Sequence, residues 1–144
     1  MEEGSCSLEG IELLQNASRL TIRGINRYNM RGENLWPDIS GIDFSPLSAL
    51  KSLKRLSFLT VMFNEIPDFG NISSLDELWF EGCIIILAIS GLTSLNYLGI
   101  SGSNYIDEEW ESTVIRTADF SELMELRHFR AGNYNSIDLG GILG

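Results

Sequence analysis

Apolar residues recur along the chain at successive spacings of three, three, two, three and three residues. The pattern is clearest in the stretches that begin at Ile72, Leu92 and Leu123. A spacing of two predicts a strand, because alternate strand residues share a face. Spacings of three are typical of turns and 3₁₀ segments. Each stretch is therefore predicted to contain one very short strand, two bends and a return segment, all with apolar side chains pointing inward.

A five-residue phrase recurs between these stretches. Its copies are Asp-Ile-Ser-Gly-Ile at 38–42, Asp-Phe-Ser-Pro-Leu at 43–47, Asp-Phe-Gly-Asn-Ile at 68–72, Ala-Ile-Ser-Gly-Leu at 88–92, Asp-Phe-Ser-Glu-Leu at 119–123 and Asp-Leu-Gly-Gly-Ile at 138–142. The steps from Asp68 to Ala88 and from Asp119 to Asp138 are 20 and 19 residues. A period near 20 predicts a stacked solenoid, in which no single unit can bury its own apolar side. Function is then expected on a surface rather than in a catalytic cleft.

Earlier units fit the spacing more loosely. The first contains Leu14, Ala17, Leu20, Ile22 and Ile25. In the next unit two strand registers fit, one with Leu56 and Phe58 inward and the other with Leu59 and Val61 inward. The first register is preferred, and the second stays open.

The segment Asp43-Phe-Ser-Pro-Leu-Ser-Ala-Leu-Lys-Ser-Leu-Lys-Arg-Leu-Ser-Phe58 resembles leucine-rich repeats, and its opening phrase resembles the internalin-type class of bacteria. The resemblance implies an α/β leucine-rich-repeat solenoid, with short parallel strands on a concave face and 3₁₀ or irregular segments on a convex face. It covers about Leu8 to the end, outside two insertions. Asparagines at Asn26, Asn104 and Asn135 lie one residue later than in the family, so an asparagine ladder between coils would be irregular.

The resemblance implies one domain over residues 1–144. Its predicted parts are a cap-like segment (1–13), a first coil (14–26), an insertion or degenerate repeat (27–42), regular repeats (43–106), a second insertion (107–118) and the last repeats (119–144). The final phrase opens a repeat that stops at Gly144. An uncapped solenoid end would expose apolar surface, so self-association through this end is expected.

Residues that flank the inward strand positions are expected on the concave face. Trp79 and Tyr97 would be neighbours on adjacent strands, and aromatic and arginine side chains dominate binding hot spots. An alternative is cross-strand packing, with Trp79 covering Gly99. The candidate partner-binding residues are Arg19, Arg55, Ser57, Glu77, Trp79, Glu81, Tyr97, His128 and Arg130.

The two interruptions of the period add further candidates. Each contains one tryptophan, Trp36 or Trp110, which a purely solvated loop would not need. Insertions in solenoids form loops along one edge, often the binding edge. The alternative is that each tryptophan packs back onto the coil beside it.

Charge and cysteine content narrow the partner class. Ten basic and twenty acidic residues give a formal charge of −10, which argues against nucleic acid because phosphate binding needs clustered Lys and Arg. A protein ligand is expected instead. Cys6 and Cys83 are too few for a disulfide framework or a metal site, and Cys83 is expected to be a small buried residue.

The sequence also bears on localisation. No secretory signal is visible, and the longest apolar run, 83–89, is too short to span a bilayer. No membrane partner is therefore expected. The chain as it stands reads as cytoplasmic, or as secreted or cell-surface if it is trimmed.

Catalytic chemistry is sparse. His128 is the single histidine, no nucleophile or phosphate-binding motif occurs, and the acidic run at 107–111 misses the spacing of a calcium loop. Glu77 and Glu81 would lie about 13 Å apart along a strand, too far for an acid–base pair. We expect no cofactor, no metal and no enzymatic activity. The sequence favours a protein-binding module, with a spacer solenoid or the recognition domain of a larger effector enzyme as alternatives.

Overall fold

The computed structural model describes residues 8–24, 27–28, 34–35, 39, 41–63, 69, 71–85, 92–101, 114–115, 123–132 and 136–137. Two 3₁₀ helices, Ile11–Leu13 and Ser45–Ala49, occur in these ranges. The strands in chain order are β1 (Arg19–Arg23), β2 (Arg27–Tyr28), β3 (Asn34–Leu35), β4 (Arg55–Leu59), β5 (Met62–Phe63), β6 (Glu77–Glu81), β7 (Ile84–Ile85), β8 (Tyr97–Ser101), β9 (Val114–Ile115), β10 (His128–Gly132) and β11 (Ser136–Ile137).

The main sheet has five parallel strands in the order β1-β4-β6-β8-β10. Strand neighbours align without offset, so one inward position forms a continuous column: Leu20, Leu56, Leu78, Leu98 and Phe129. The preferred register at Leu56 and Phe58 is thereby confirmed, because both side chains are buried in β4. A parallel sheet with a few short helices is compatible with the α/β class.

Residues from both interruptions of the period lie outside the main sheet where the structure describes them. β1 pairs directly with β4, and the segment between them contributes the antiparallel pair β2–β3. Ile39 is buried, and its N–H donates to the Met62 carbonyl. Likewise β8 pairs directly with β10, while β9 from the second interruption pairs in parallel with β11.

The apolar triplets form turns, as their spacing predicted. In each turn, a backbone N–H donates to the carbonyl oxygen three residues earlier. The donor and acceptor pairs are Leu50 to Leu47, Leu75 to Ile72, Leu95 to Leu92 and Leu126 to Leu123. The first of these turns is the helix Ser45–Ala49, with proline near its start. These bonds satisfy peptide groups that would otherwise be buried without partners.

A second backbone arrangement recurs where the main strands begin. One carbonyl accepts two successive N–H groups of the next strand segment. Ser18 accepts from residues 54 and 55, Lys54 from 76 and 77, Asp76 from 96 and 97, and Asn96 from 127 and 128. Successive strands are therefore tied at the same point.

The core lies on the inward side of the main sheet and is rich in phenylalanine. Phe58 is at its centre, with ring centroids 5.0 to 5.7 Å from those of Phe44, Phe63, Phe69 and Phe80. Its partners are arranged both edge-on and face-on, which are favourable aromatic geometries. The edge strand β1 is less covered, since Leu20 and Ile22 are only half-buried.

Cys83 is a fully buried core residue, as predicted. Its Sγ lies 3.4 Å from the carbonyl oxygens of Phe58 and Glu81, to which the thiol donates. Burial raises the pKa of this thiol to about 11. Within the described ranges, none of the helices reaches the length and apolarity that crossing a membrane requires.

Candidate functional site

The candidate site is the outward face of the main sheet, formed by the first, third and fifth residues of each strand. Alternate strand residues share this face, and the aligned register groups them in three rows. The first row is Arg19, Arg55, Glu77, Tyr97 and His128; the second is Thr21, Ser57, Trp79, Gly99 and Arg130; the third is Arg23, Leu59, Glu81, Ser101 and Gly132. We call this surface the outward face. It brings together all nine candidates predicted on the strands.

Four planar side chains from four adjacent strands form a stacked row on this face. The Arg55 Cζ lies 4.5 Å from the centroid of the Trp79 ring. Trp79 stacks on Tyr97 at 4.4 Å with 19° between the planes, and Tyr97 stacks on His128 at 6.1 Å with 29°. The guanidinium over the indole is a cation–π contact. We call Arg55, Trp79, Tyr97 and His128 the stacked row.

Glu77 holds the first half of the stacked row in place. Its Oε2 accepts a hydrogen bond of 3.2 Å from Trp79 Nε1 and lies 3.5 Å from Arg55 Nη1. The same carboxylate therefore orients the indole and the cation that covers it. All three side chains are half-buried, so they are both held by neighbours and open to solvent.

Gly99 makes room for the indole. It pairs with Trp79 across β6 and β8, and a Cβ placed on Gly99 would lie 2.5 Å from Trp79 Cε3. Trp79 thus covers Gly99, as the packing alternative predicted. Covering the glycine does not remove the indole from solvent, so packing and contact with a partner are compatible.

The prediction that Ser57 contacts a partner is wrong. Its position on the outward face suggested an exposed side chain, but Ser57 is only 6% exposed. Arg55 Nε donates to its Oγ at 3.4 Å, and the much larger Trp79 is its neighbour on the next strand. Ser57 supports Arg55 from beneath and is not itself available to a partner.

A pocket of about 230 Å³ opens beside the stacked row. Trp79 and Glu81 line it from β6, Ser101 from β8, and Arg130 and Gly132 from β10. Gly99 and Gly132 carry no side chains to fill this space. The predicted site residues did not include Ser101 and Gly132. The sequence signal for the pocket is the pair of glycines, Gly99 and Gly132, at outward positions beside Trp79 and Arg130.

Within the residues that the structure describes, no three His, Cys, Asp or Glu side chains are placed together to hold a metal ion. Several predictions lie outside those residues and stay predictions. They concern Trp36, Trp110, Cys6, the acidic run at 107–111 and the chain end at Gly144.

Comparison with protein-family models found no match to this sequence, and comparison with curated proteins found none either.

Proposed function

We propose that this chain is a non-enzymatic protein-binding module, built as an internalin-like leucine-rich-repeat solenoid, and that the outward face contacts the partner. The observation that carries the proposal is the stacked row, in which Trp79 lies between Arg55 and Tyr97 and stays open to solvent. Tryptophan, tyrosine and arginine are the residues most enriched in binding hot spots.

The recurrence of local structure supports the solenoid part of the proposal. Apolar triplets form the same turn before β4, β6, β8 and β10, and a single carbonyl ties each strand start to the next. Side chains at one strand position form an in-register column. Repeated units that each contact only their neighbours are typical of solenoid proteins.

Preorganisation supports the binding part. Ordering a flexible side chain at an interface costs about 0.5–1.5 kcal/mol. Glu77 and Gly99 already fix the indole of Trp79, and Ser57 supports Arg55. A partner would therefore meet a surface whose largest side chains are ordered before it arrives. The adjacent pocket offers space for one side chain of that partner.

The packing of Trp79 on Gly99 also favours a second function, that of a spacer solenoid with no ligand of its own. In that case the stacked row serves only to cover the sheet. The two functions predict different results when the outward face is probed for nearby proteins.

Site-specific photo-crosslinking separates them. A photoreactive amino acid replaces Thr21, an exposed residue of the outward face that is not among the predicted contacts, or Lys51, an exposed residue of the turn before β4, as the matched control. The binding module should yield a discrete crosslinked protein from position 21 and not from position 51. Trp79→Ala should abolish that product while circular dichroism shows a folded protein. The same products from both positions, or none from either, would favour the spacer.

A further inference from the structure

The outward face has a charge opposite in sign to that of the whole chain. Its described positions include four arginines, Arg19, Arg23, Arg55 and Arg130, and two glutamates, Glu77 and Glu81. With His128 counted as neutral the face is therefore +2, whereas the chain is −10. The rest of the molecule accordingly has a formal charge of −12. This segregation places scarce positive charge on the surface that also holds the stacked row.

Three of these arginines have no ionic partner within the described residues. Arg55 is paired with Glu77, but Arg19, Arg23 and Arg130 form no ion pair with another described residue, and all three are exposed. Free guanidinium groups are strong donors to carboxylates, often through two parallel hydrogen bonds. Positive charge that has no ionic partner among the described residues is available to a binding partner.

These three arginines lie at opposite edges of the sheet. Arg19 and Arg23 are in β1 and Arg130 is in β10, four strand spacings away in the order of the sheet. At about 4.8 Å per spacing the edges are about 19 Å apart. An extended peptide covers that distance with about six residues. A segment that crosses the strands would meet arginine at each end and the stacked row between them.

We infer that the partner presents an acidic protein segment that lies across the five strands, with carboxylates reaching Arg19 and Arg23 at one edge and Arg130 at the other. The inference rests on the proposed function and adds the chemistry of the partner. Charge complementarity decides the sign, because like charges placed across an interface repel one another. Nucleic acid is disfavoured, since phosphate binding draws on many clustered Lys and Arg side chains and these three arginines neutralise few phosphates.

A pair of synthetic peptides tests this chemistry directly. The first is a fluorescent 12-residue peptide of Asp, Glu and Gly; the second has Asn and Gln in place of the acids. Fluorescence anisotropy should show binding of the acidic peptide alone, weakening as salt is added because exposed charges are screened. Arg19→Glu and Arg130→Glu should each weaken binding roughly fivefold or more, since exposed ion pairs contribute up to about 1 kcal/mol and reversal adds repulsion.

Matched variants guard against a nonspecific charge effect and against misfolding. Lys51→Glu makes the same change in net charge on the turn before β4, and should alter affinity less than twofold. Arg130→Gln removes the cation without adding a carboxylate and should give an intermediate loss. Near-ultraviolet circular dichroism confirms that each variant retains its packed aromatic side chains.

Three results would overturn the inference. The first is that the two peptides bind equally well or that neither binds detectably. The second is that Lys51→Glu and Arg130→Glu lose the same affinity for the acidic peptide. The third is that light scattering shows an oligomer of the wild-type protein that Arg130→Glu dissociates. The last would identify a second copy of the chain as the occupant. If the acidic peptide fails while the photo-crosslinker at position 21 still captures a protein, the proposed function stands and only the acidic chemistry is wrong.

Discussion

The indole of Trp79 occupies the space that a side chain at Gly99 would need. A Cβ on Gly99 would lie 2.5, 2.9 and 3.0 Å from the indole atoms Cε3, Cζ3 and Cδ2. The two residues are register partners on β6 and β8. Absence of a side chain on β8 thus lets the indole lie across that strand and stack face to face on Tyr97. The stacked row depends on a glycine that contributes no contact surface of its own.

Gly99→Ala should lower the free energy of unfolding by about 1–3 kcal/mol, the usual cost of overpacking. The new methyl group displaces the indole, so the near-ultraviolet circular dichroism of the tryptophan should change. Denaturant unfolding measures the first effect. Gly132→Ala is the control, because it lies on the same face one strand away and its Cβ meets nothing within 4 Å. It should be neutral or stabilise by up to about 1 kcal/mol.

A double variant tests the cause of the Gly99 effect. In a Trp79→Ala background the indole is absent. The methyl group added by Gly99→Ala then has nothing to clash with, so the substitution should change the free energy of unfolding little. A cost that stays unchanged in this background would show that the substitution acts through the backbone of β8 instead.

The turns of the repeated units could be predicted from local spacing alone. The turns at Leu75 and Leu95 follow from spacings of three, which involve no neighbouring strand. A spacing of two also predicted short strands with alternate residues inward. In β4, however, Leu56 with Phe58 and Leu59 with Val61 both fitted that spacing, and only the pairing of β4 with β1 and β6 decides for the first.

The remaining features depend on which strands become neighbours, which local spacing does not encode. Ser57 was expected to be exposed, and only the adjacent position of Trp79 and the turn of Arg55 toward its hydroxyl explain its burial. The second role of Glu77, as acceptor for the indole, likewise needs side-chain orientations. The pocket between Trp79 and Arg130 requires the order of three strands to be known.

Phe58→Ala should be among the most destabilising substitutions in the chain. Phe58 is fully buried and packs against four other phenylalanine rings, so truncation loses both transfer free energy and contacts around the cavity. The expected loss is about 3–5 kcal/mol of unfolding free energy, measured by denaturant titration. Met124→Ala is the control, because Met124 is 82% exposed, and it should change stability by less than about 0.5 kcal/mol. Similar losses in the two variants would contradict the placement of the core.

Asp43 should make the stability of the protein sensitive to acid, through the turn that begins the copy of the repeated phrase at 43–47. Its Oδ1 accepts the Ser45 N–H at 2.9 Å, and this bond holds the pKa of the carboxyl below its ordinary value of 3.8. A lowered folded-state pKa stabilises the protein above pH 3.8, and the contribution disappears as the pH falls through the folded value. Asp43→Ala should therefore be less stable than wild type at pH 7, and the difference should shrink in acid.

Asp43→Asn provides the comparison that separates the hydrogen bond from the charge. An asparagine oxygen can accept the same N–H and does not titrate in this range. Thermal unfolding of the three proteins between pH 7 and pH 2.5 should show a pH-independent gap between the Asn and Ala variants. A gap between wild type and Asp43→Ala that stays constant in acid would exclude the proposed role of the carboxylate.

Cys83 should resist thiol reagents until the protein unfolds. The side chain is fully buried, and burial raises its pKa from 9.0 to about 11, so neither access nor ionisation favours reaction near pH 8. A Cys6→Ser background leaves Cys83 as the single thiol. In this protein, labelling by a chromogenic disulfide should be slow in buffer and fast in guanidinium chloride.

The raised pKa of Cys83 also predicts that the stability of the protein is intact below pH 9 and declines between pH 9 and pH 11, because the thiol of the unfolded chain ionises first. The slope approaches about 1.4 kcal/mol per pH unit in that window. Cys83→Ala has no thiol to ionise, so its stability relative to the Cys83 protein should rise over the same interval; parallel pH profiles, or rapid labelling of the native protein, would place Cys83 outside the core.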